Sequence, residues 1–384
     1  VKIEYLEKQR VKFSFKTKNN REIGLIVGEQ PILPKHFWQK RNFNSSNLDI
    51  PLGSGPYTLT KIDAGRSLVY TRNPNYWAAN LPINKGRYNF NTITYVSYRD
   101  MTVALEGFKA GQYDFRQENK AKSWATEYTF PAVKQGLVKK YEQANLMPQG
   151  MQGFLYNTRR PLFQDIKVRQ ALAYAFDFEW SNRSLFYNAY TRSNSYFANS
   201  ELAATGVPTG QELALLEPYR KQLPANVFSG SYQPPKTDGS GNNRANLMTA
   251  QQLLSGAGWT MKNGKLTNAK NEVFAFELLL AQPELERIVH PFKQNLARLG
   301  IEMSIRVIDI PQYINRERSF DFDMVVGSFP QSLSPGNEQR GFFGSQAADT
   351  NSSRNLIGIK NPVVDALIEK IITAPSREQL VTAT

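Results

Sequence analysis

The sequence has 384 residues, with 47 Lys and Arg against 33 Asp and Glu, a formal net charge of +14 and no cysteine. Because there is no thiol, disulfides, thiolate metal sites and cysteine nucleophiles are excluded, and no apolar run reaches the roughly 18 residues that a membrane helix needs. The basic residues are scattered rather than clustered, which favours a solvated basic surface over a nucleic-acid partner.

The amino-terminal part of the sequence is rich in strand patterns. Alternating apolar and polar residues predict strands over 11–15, 68–71 and 93–98. The Gly-Ser-Gly-Pro turn at 53–56 predicts the start of a hairpin, since glycine permits unusual backbone angles and proline fixes φ. The length of the chain fits two domains, and we predict that the first, over residues 1–150, contains a mixed sheet.

A helix with a clear start follows at 166–176. Asp165 can accept hydrogen bonds from the free backbone N–H groups of the first turn. Apolar residues then recur at helical spacing, so one face of this helix must be buried. These residues are Val168, Ala171, Leu172, Ala175 and Phe176.

From residue 151 onward the pattern becomes α/β. Strands are predicted over 273–280, 301–308 and 322–326, with helices over 284–299 and 311–318 between them, and Gly300 stops the first helix. This alternation predicts right-handed crossovers and a parallel sheet covered on both faces. The second domain is therefore placed at 151–384, with an exposed loop over 233–246.

Two polar segments are the candidate ligand contacts. In open α/β sheets ligands bind beyond the carboxyl ends of strands, and the segment after the strand at 322–326 offers Ser328, Phe329, Gln331 and Ser332. The segment 180–199 combines rings with amide and guanidinium groups, and its candidates are Tyr190, Arg192, Tyr196 and Asn199. A plain surface loop and ordinary core aromatics are the respective alternatives.

Catalytic chemistry has little support in this sequence. The two histidines, His36 and His290, occur outside any known catalytic motif, and Asp321 with Asp323 more simply ends a turn and enters a strand. We expect a binding protein with no catalytic residue, cofactor or metal ion. A two-domain glycoside hydrolase, whose carboxylates need not be close in the chain, and a basic nucleic-acid-binding protein remain alternatives.

Four blocks resemble the family 5 extracellular solute-binding proteins, the peptide and nickel receptors of ABC importers. In order, they are Gly53-Ser-Gly-Pro-Tyr57, Arg72-Asn-Pro-Asn-Tyr-Trp77, the segment 104–114 and the helix region 161–177. The resemblance implies a two-lobed periplasmic-binding-protein-like fold (type II, cluster C), with mixed sheets, helices on both faces and a hinge near 143–154. It also implies a monomeric periplasmic receptor that delivers its ligand to an inner-membrane ABC permease.

The segments 31–38, 190–197 and 334–339 are similar to the Yej-type branch of this family, which takes up oligopeptides and the peptide-nucleotide antibiotic microcin C. The resemblance further implies that a signal peptide was removed, that more of the first lobe precedes Val1, and that more chain follows Thr384. It also places ligand contacts at Glu118 and Trp124, although either side chain could be purely structural.

One departure from the family pattern concerns the amino end of the ligand. Common peptide receptors of the family carry an Asp that pairs with this amine, whereas the corresponding loop here has Gln331 and no acid between Ser328 and Pro335. A neutral amide cannot balance a desolvated ammonium group. We therefore expect a ligand with a blocked or remotely held amino end, such as the formylated end of microcin C.

Overall fold

The computed structural model describes residues 1–7, 9–16, 18, 20–43 and 48–384. The chain forms two compact units, a larger one of Val1–Ile26 with Glu142–Thr384 and a smaller one of Val27–Tyr141. The break at 141/142 lies near the predicted domain boundary at 150. The first 26 residues, however, pack with the carboxyl-terminal part of the chain.

The amino-terminal segment of the larger unit begins with an antiparallel hairpin of β1 (Lys2–Glu7) and β2 (Arg10–Ser14), and helix α1 (Glu22–Gly28) runs across the boundary. The smaller unit contains α2 (Lys35–Trp38), β3 (Tyr57–Asp63), β4 (Ser67–Arg72), β5 (Thr92–Val96), α3 (Met101–Lys109), α4 (Ala121–Thr126) and α5 (Pro131–Lys134). Strands β3, β4 and β5 form one antiparallel sheet. The strands predicted in this part of the chain therefore form, but in two antiparallel sheets rather than one mixed sheet.

The rest of the larger unit alternates strands and helices. Its elements are β6 (Met151–Tyr156), α6 (Ile166–Ala175), α7 (Phe178–Leu185), α8 (Gly210–Leu216), α9 (Arg244–Gly256), β7 (Thr260–Lys262), β8 (Lys265–Thr267), β9 (Ala275–Leu280), α10 (Glu286–Arg298), β10 (Glu302–Val307), α11 (Ile310–Arg318), β11 (Met324–Phe329), α12 (Glu338–Phe343), α13 (Pro362–Thr373) and α14 (Arg377–Ala383). Within the described part of the chain, no helix combines the length and apolar character needed to span a bilayer.

The main sheet has the strand order β10-β9-β11-β6. Strands β9, β10 and β11 are parallel, as predicted, and β6 is antiparallel to β11 at one edge. Strand β11 starts later and runs three residues farther than the sequence predicted, because its ladder with β6 continues through Ser328 and Phe329 to Met151. These two candidate residues thus lie in the strand, and the loop begins at Pro330.

Two hydrophobic clusters cover the two faces of this sheet. Neighbouring residues of a strand point to opposite faces, and accordingly Leu278 belongs to one cluster and Leu279 to the other. Helix α6 contributes Val168 and Leu172 to the first cluster, and Phe292 of α10 packs there as well. Gly300 has φ of +76° directly after α10, which is the left-handed conformation predicted for the helix stop.

The predicted role of Asp165 as the amino-terminal cap of α6 can be tested by mutation. The Asp165 carboxylate accepts a hydrogen bond from the Lys167 backbone N–H at 2.8 Å. We expect Asp165→Ala to lower the free energy of unfolding by about 1 kcal/mol because this N–H loses its partner. Asp165→Ser, which retains a capping oxygen, should stay close to wild type. Urea unfolding measures both, and equal stability of the two variants would contradict the capping role.

Candidate functional site

Three segments of the larger unit meet where β11 ends and β6 begins. The Gln149 backbone N–H donates to the Ala198 carbonyl at 2.7 Å, and the Asn199 side chain donates to the carbonyls of Asn145 and Met147, each at 2.9 Å. Gly150 lies so close to β11 that a Cβ atom there would overlap the Phe329 carbonyl oxygen. The predicted segments around 199 and 329 are therefore brought together at the carboxyl end of β11.

Tyr196 packs against this junction. Its ring centroid lies 5.3 Å from that of Phe329 and 5.0 Å from that of Phe343, in edge-on arrangements. Phe329 is only 2% exposed, so its ring is part of the hydrophobic core and offers little surface to a ligand. Burial raises the pKa of Tyr196. No residue in the described ranges forms a hydrogen bond with the Tyr196 hydroxyl.

Arg192 has a different environment from the other candidate residues. Its guanidinium carbon lies 5.4 Å from the ring centroid of Phe176 and 5.2 Å from that of Phe178. Its Nη1 atom is buried and has no hydrogen-bond partner in the structure described. Burial lowers the pKa of Arg192, and Tyr232, Glu179 and Tyr156 act in the opposite direction. A buried cationic donor without a partner is costly for a protein, so this group is suited to receive an anionic oxygen.

Sequence reasoning missed two tyrosines near Arg192. Tyr156 ends β6, and burial raises its pKa while the charge of Arg192 lowers it. Tyr232 is 57% exposed and also acts on the ionisation of Tyr156, Arg192 and Tyr196. Tyr156 could have been found from the alternation of β6, but Tyr232 lies in a loop with no distinguishing pattern.

The remaining candidates of the 190s segment are more exposed. The Tyr190 backbone is held by the Asn182 side chain, which bonds its N–H and its carbonyl at 3.1 and 2.8 Å. The Tyr190 ring packs on Phe186 at 4.9 Å. Asn199 is exposed and has φ of +67°, and its amide nitrogen is used within the protein. Its role is therefore at least partly to hold the chain at 145–147.

The loop after β11 is held from both sides. Gln331 pairs with the buried Gln339 of α12 through a 2.6 Å hydrogen bond, whereas Ser332 is exposed. On the other side, the Glu22 carboxylate accepts hydrogen bonds from the backbone and side-chain nitrogens of Asn337 at 2.7 and 2.8 Å. No Cβ atom would fit at Gly336, since it would overlap the Glu22 carboxylate. The loop is therefore fixed in place by contacts within the larger unit.

Glu118 and Trp124 lie in the smaller unit. The Glu118 side chain is 2% exposed and forms an ion pair with Arg116 at 3.3 Å, while the Tyr128 hydroxyl donates to it at 3.0 Å. Burial and this carboxylate raise the pKa of Tyr128 to about 12. Trp124 is half-buried, and the Lys140 ammonium lies 4.2 Å from its ring centroid. Glu118 is thus fully engaged inside its unit, and its ligand role remains a prediction.

Two clefts in the larger unit lie away from the predicted site residues. Clefts of about 660 and 320 Å³ lie near α12 and α13 and near α9 respectively, and neither is lined by a predicted site residue. Across the described residues, no group of three or more His, Cys, Asp or Glu side chains is placed to hold a metal ion. The unpartnered guanidinium of Arg192 is therefore the feature that most directly suggests a ligand.

Known proteins similar to this chain agree with the fold. The chain is 42% identical to the probable peptide-binding protein YejA of Agrobacterium fabrum, over 100% of this chain and 64% of that protein. It also resembles the structure of the oligopeptide-binding protein AppA from Bacillus subtilis in complex with a nonapeptide, with a TM-score of 0.67 and 23% identity over 99% of this chain and 68% of that one. A periplasmic oligopeptide-binding protein from Thermotoga maritima gives a TM-score of 0.71 at 19% identity, covering 100% and 67% of the two chains.

Residues 1–351 match the family described as bacterial extracellular solute-binding proteins, family 5 Middle. The chain spans about three fifths of the length of the curated relatives that it matches. Its α/β architecture is that of the peptide-binding structures above. This match favours the binding interpretation over the glycoside hydrolase and the nucleic-acid-binding protein. The chain belongs to the family 5 bacterial extracellular solute-binding proteins.

Proposed function

We propose that this chain is part of a periplasmic receptor that captures oligopeptides and delivers them to an inner-membrane ABC permease. Family membership supports the solute-binding role. The name of the Agrobacterium fabrum relative and the nonapeptide bound to the Bacillus subtilis protein support a peptide as the solute. The receptor acts as a monomer and breaks no bond in its ligand.

The observation that carries this proposal is the unpaired Nη1 atom of Arg192. A peptide carboxylate could accept two parallel hydrogen bonds from a guanidinium group. The rings of Phe176 and Phe178 beside it exclude water from part of the guanidinium surface, and electrostatic attraction is stronger where water is excluded. Arg192 is therefore the proposed anchor for a carboxylate of the peptide, with Tyr190, Tyr196 and Asn199 nearby in the chain.

The finer part of the proposal concerns the amino end of the ligand. Gln331 is neutral, and the resemblance to the family implies that its loop corresponds to the one where common receptors carry an acid, so the ligand is proposed to have a blocked amino end. Microcin C, a peptide-nucleotide with a formylated amino end, belongs to this class, as do other formylated or acylated oligopeptides. Ser328 and Ser332 are exposed and are available as further polar contacts.

Mass spectrometry of molecules released from the purified protein tests the proposal. Release of one or more peptides is the expected result. Sugar turnover would instead support a glycoside hydrolase, and DNA binding that weakens strongly with salt would support a nucleic-acid-binding protein. Either of those results, in a preparation that releases no peptide, would overturn the proposal.

Tyr196→Phe provides a milder test of the site. We expect a loss of peptide affinity of about two- to tenfold, the range of one neutral hydrogen bond. The melting temperature should change little, because the described protein offers the Tyr196 hydroxyl no partner to lose. Calorimetry and thermal melting on the same samples measure both. Tyr141→Phe is the control, since Tyr141 is 79% exposed; unchanged affinity or a collapse in melting temperature for Tyr196→Phe would remove Tyr196 from the site.

A further inference from the structure

We propose that Gln339 and Glu338 are positioning residues that turn the Gln331 amide so that its nitrogen, rather than its oxygen, is offered to the ligand. A site built in this way selects peptides whose amino end carries an acyl carbonyl, and does not merely tolerate them. This inference rests on the proposed function and names the chemical class of its ligand.

Three side chains form a short relay along the loop and the start of α12. The Gln339 side-chain nitrogen donates to a Glu338 carboxylate oxygen at 2.9 Å and to the Gln331 side-chain oxygen at 2.6 Å. The return contact, from the Gln331 nitrogen to the Gln339 oxygen, is much longer at 3.5 Å. The oxygen of Gln331 is thus tightly held and its nitrogen is held loosely.

The Glu338 carboxylate fixes the orientation of both amides. An ionised carboxylate can only accept hydrogen bonds, so the group of Gln339 that faces it must be the NH2. The same NH2 lies 2.6 Å from Gln331, and the atom of Gln331 that meets it must then be the acceptor oxygen. Reversing either amide would place two acceptors or two donors against each other, which costs the free energy of unsatisfied buried polar groups.

Contacts with neighbouring groups hold the relay in place, and Gln339 is its buried member, whereas Glu338 is exposed. Gln339 is only 2% exposed. The Glu338 oxygen that accepts from Gln339 also accepts from the Gly336 backbone N–H at 2.9 Å. Glu22 in turn fixes the neighbouring Asn337. Burial of Gln339 therefore limits the access of water to its hydrogen bond with Gln331.

An outward amide N–H discriminates between two kinds of peptide. A formyl or acetyl oxygen accepts a hydrogen bond from it, whereas an ammonium group is itself only a donor and meets a donor. The difference amounts to roughly one hydrogen bond, or about three- to tenfold in affinity.

Competition between matched peptides tests this inference. An equimolar pool of pentapeptides is prepared with free, formylated and acetylated amino ends carrying different isotope labels, and the retained peptides are quantified by mass spectrometry. We expect the wild-type protein to enrich the formylated and acetylated forms about three- to tenfold. Gln339→Met should bring this ratio close to one, because Gln331 can then turn.

Two further variants separate positioning from packing. Glu338→Gln retains an acceptor oxygen that the N–H groups of Gly336 and Gln339 still select, so the preference should persist. Gln339→Glu presents only acceptor oxygens to the Gln331 amide when it is ionised, so the amide should turn over and the site should favour the free amine. Gln346→Met, at an exposed glutamine seven residues later, is the control for the Met substitution. Thermal melting establishes that each variant is folded.

The outcomes are distinct. A wild-type preference for the free amine would overturn the inference, because a donor offered by Gln331 opposes an ammonium group. A preference that survives unchanged in folded Gln339→Met and Gln339→Glu would also overturn it. If the wild-type protein retains no peptide of any kind, the proposed function itself fails, and the inference fails with it.

Discussion

Replacing Arg192 by alanine is expected to weaken the binding of peptides with a free carboxylate by roughly ten- to hundredfold. Charge-assisted hydrogen bonds contribute about 1.5–3 kcal/mol, which corresponds to one to two decades in the dissociation constant. The fold should lose little, because the Nη1 atom of Arg192 has no partner in the described structure and burial already disfavours its charged form.

Calorimetry with a peptide and its carboxyl-terminal amide tests the assignment. Wild type should bind the acid better than the amide, and Arg192→Ala should bind the two equally. Arg183→Ala is a matched control, since Arg183 is an exposed arginine on α7. An undiminished preference for the acid in Arg192→Ala, or a melting temperature that falls steeply in this variant alone, would exclude Arg192 as the carboxylate anchor.

Local features of the fold were readable from the sequence because their physical causes are local. The cap at Asp165, the buried face with Val168 and Leu172, and the glycine that ends α10 depend on residues within one or two helical turns. The structure confirms each of them. The parallel arrangement of β9, β10 and β11 follows from the alternation of strand and helix, which leaves few ways to cover both faces of a sheet.

The extent of β11 was not readable in the same way. Gly327 and Ser328 have the composition of a loop, yet they pair with Gly153 and Gln152 of β6, which lies far away in the sequence. The partner strand supplies hydrogen bonds that outweigh the weak strand propensity of glycine and serine. Strand ends set by a distant partner cannot be found by scanning one segment.

The candidate site likewise combines residues that the sequence identifies with contacts that only the fold creates. Phe176 and Phe178 flank Asp177 in the sequence, but Arg192 reaches them only through the fold. Glu22 meets Asn337 across 315 positions of sequence. The requirement for glycine at 336 becomes clear only once that carboxylate is in place. The chemistry of their side chains identified Arg192 and Gln331 as candidates from the sequence alone. The groups that surround and orient them are brought there by the tertiary structure.

Substituting Gln331 by aspartate is expected to reverse the ligand preference from a blocked to a free amino end. In the wild-type site a free amine must lose hydration without gaining a carboxylate partner, which opposes its binding. The introduced carboxylate would offer an ammonium group the charged acceptor that glutamine lacks. A charged pair in a site shielded from water contributes about 1.5–3 kcal/mol, or roughly one to two decades in affinity.

Competition between formylated and free forms of one peptide sequence, on wild type and Gln331→Asp, measures this reversal. The reversal should weaken as salt is added if the new pair is exposed, and should persist if the pair is shielded from solvent. Gln331→Asn is the matched control, because it shortens the side chain equally without adding charge. If wild type already prefers the free amine by tenfold or more, another group supplies the negative charge. Gln331 then does not face the amino end of the peptide.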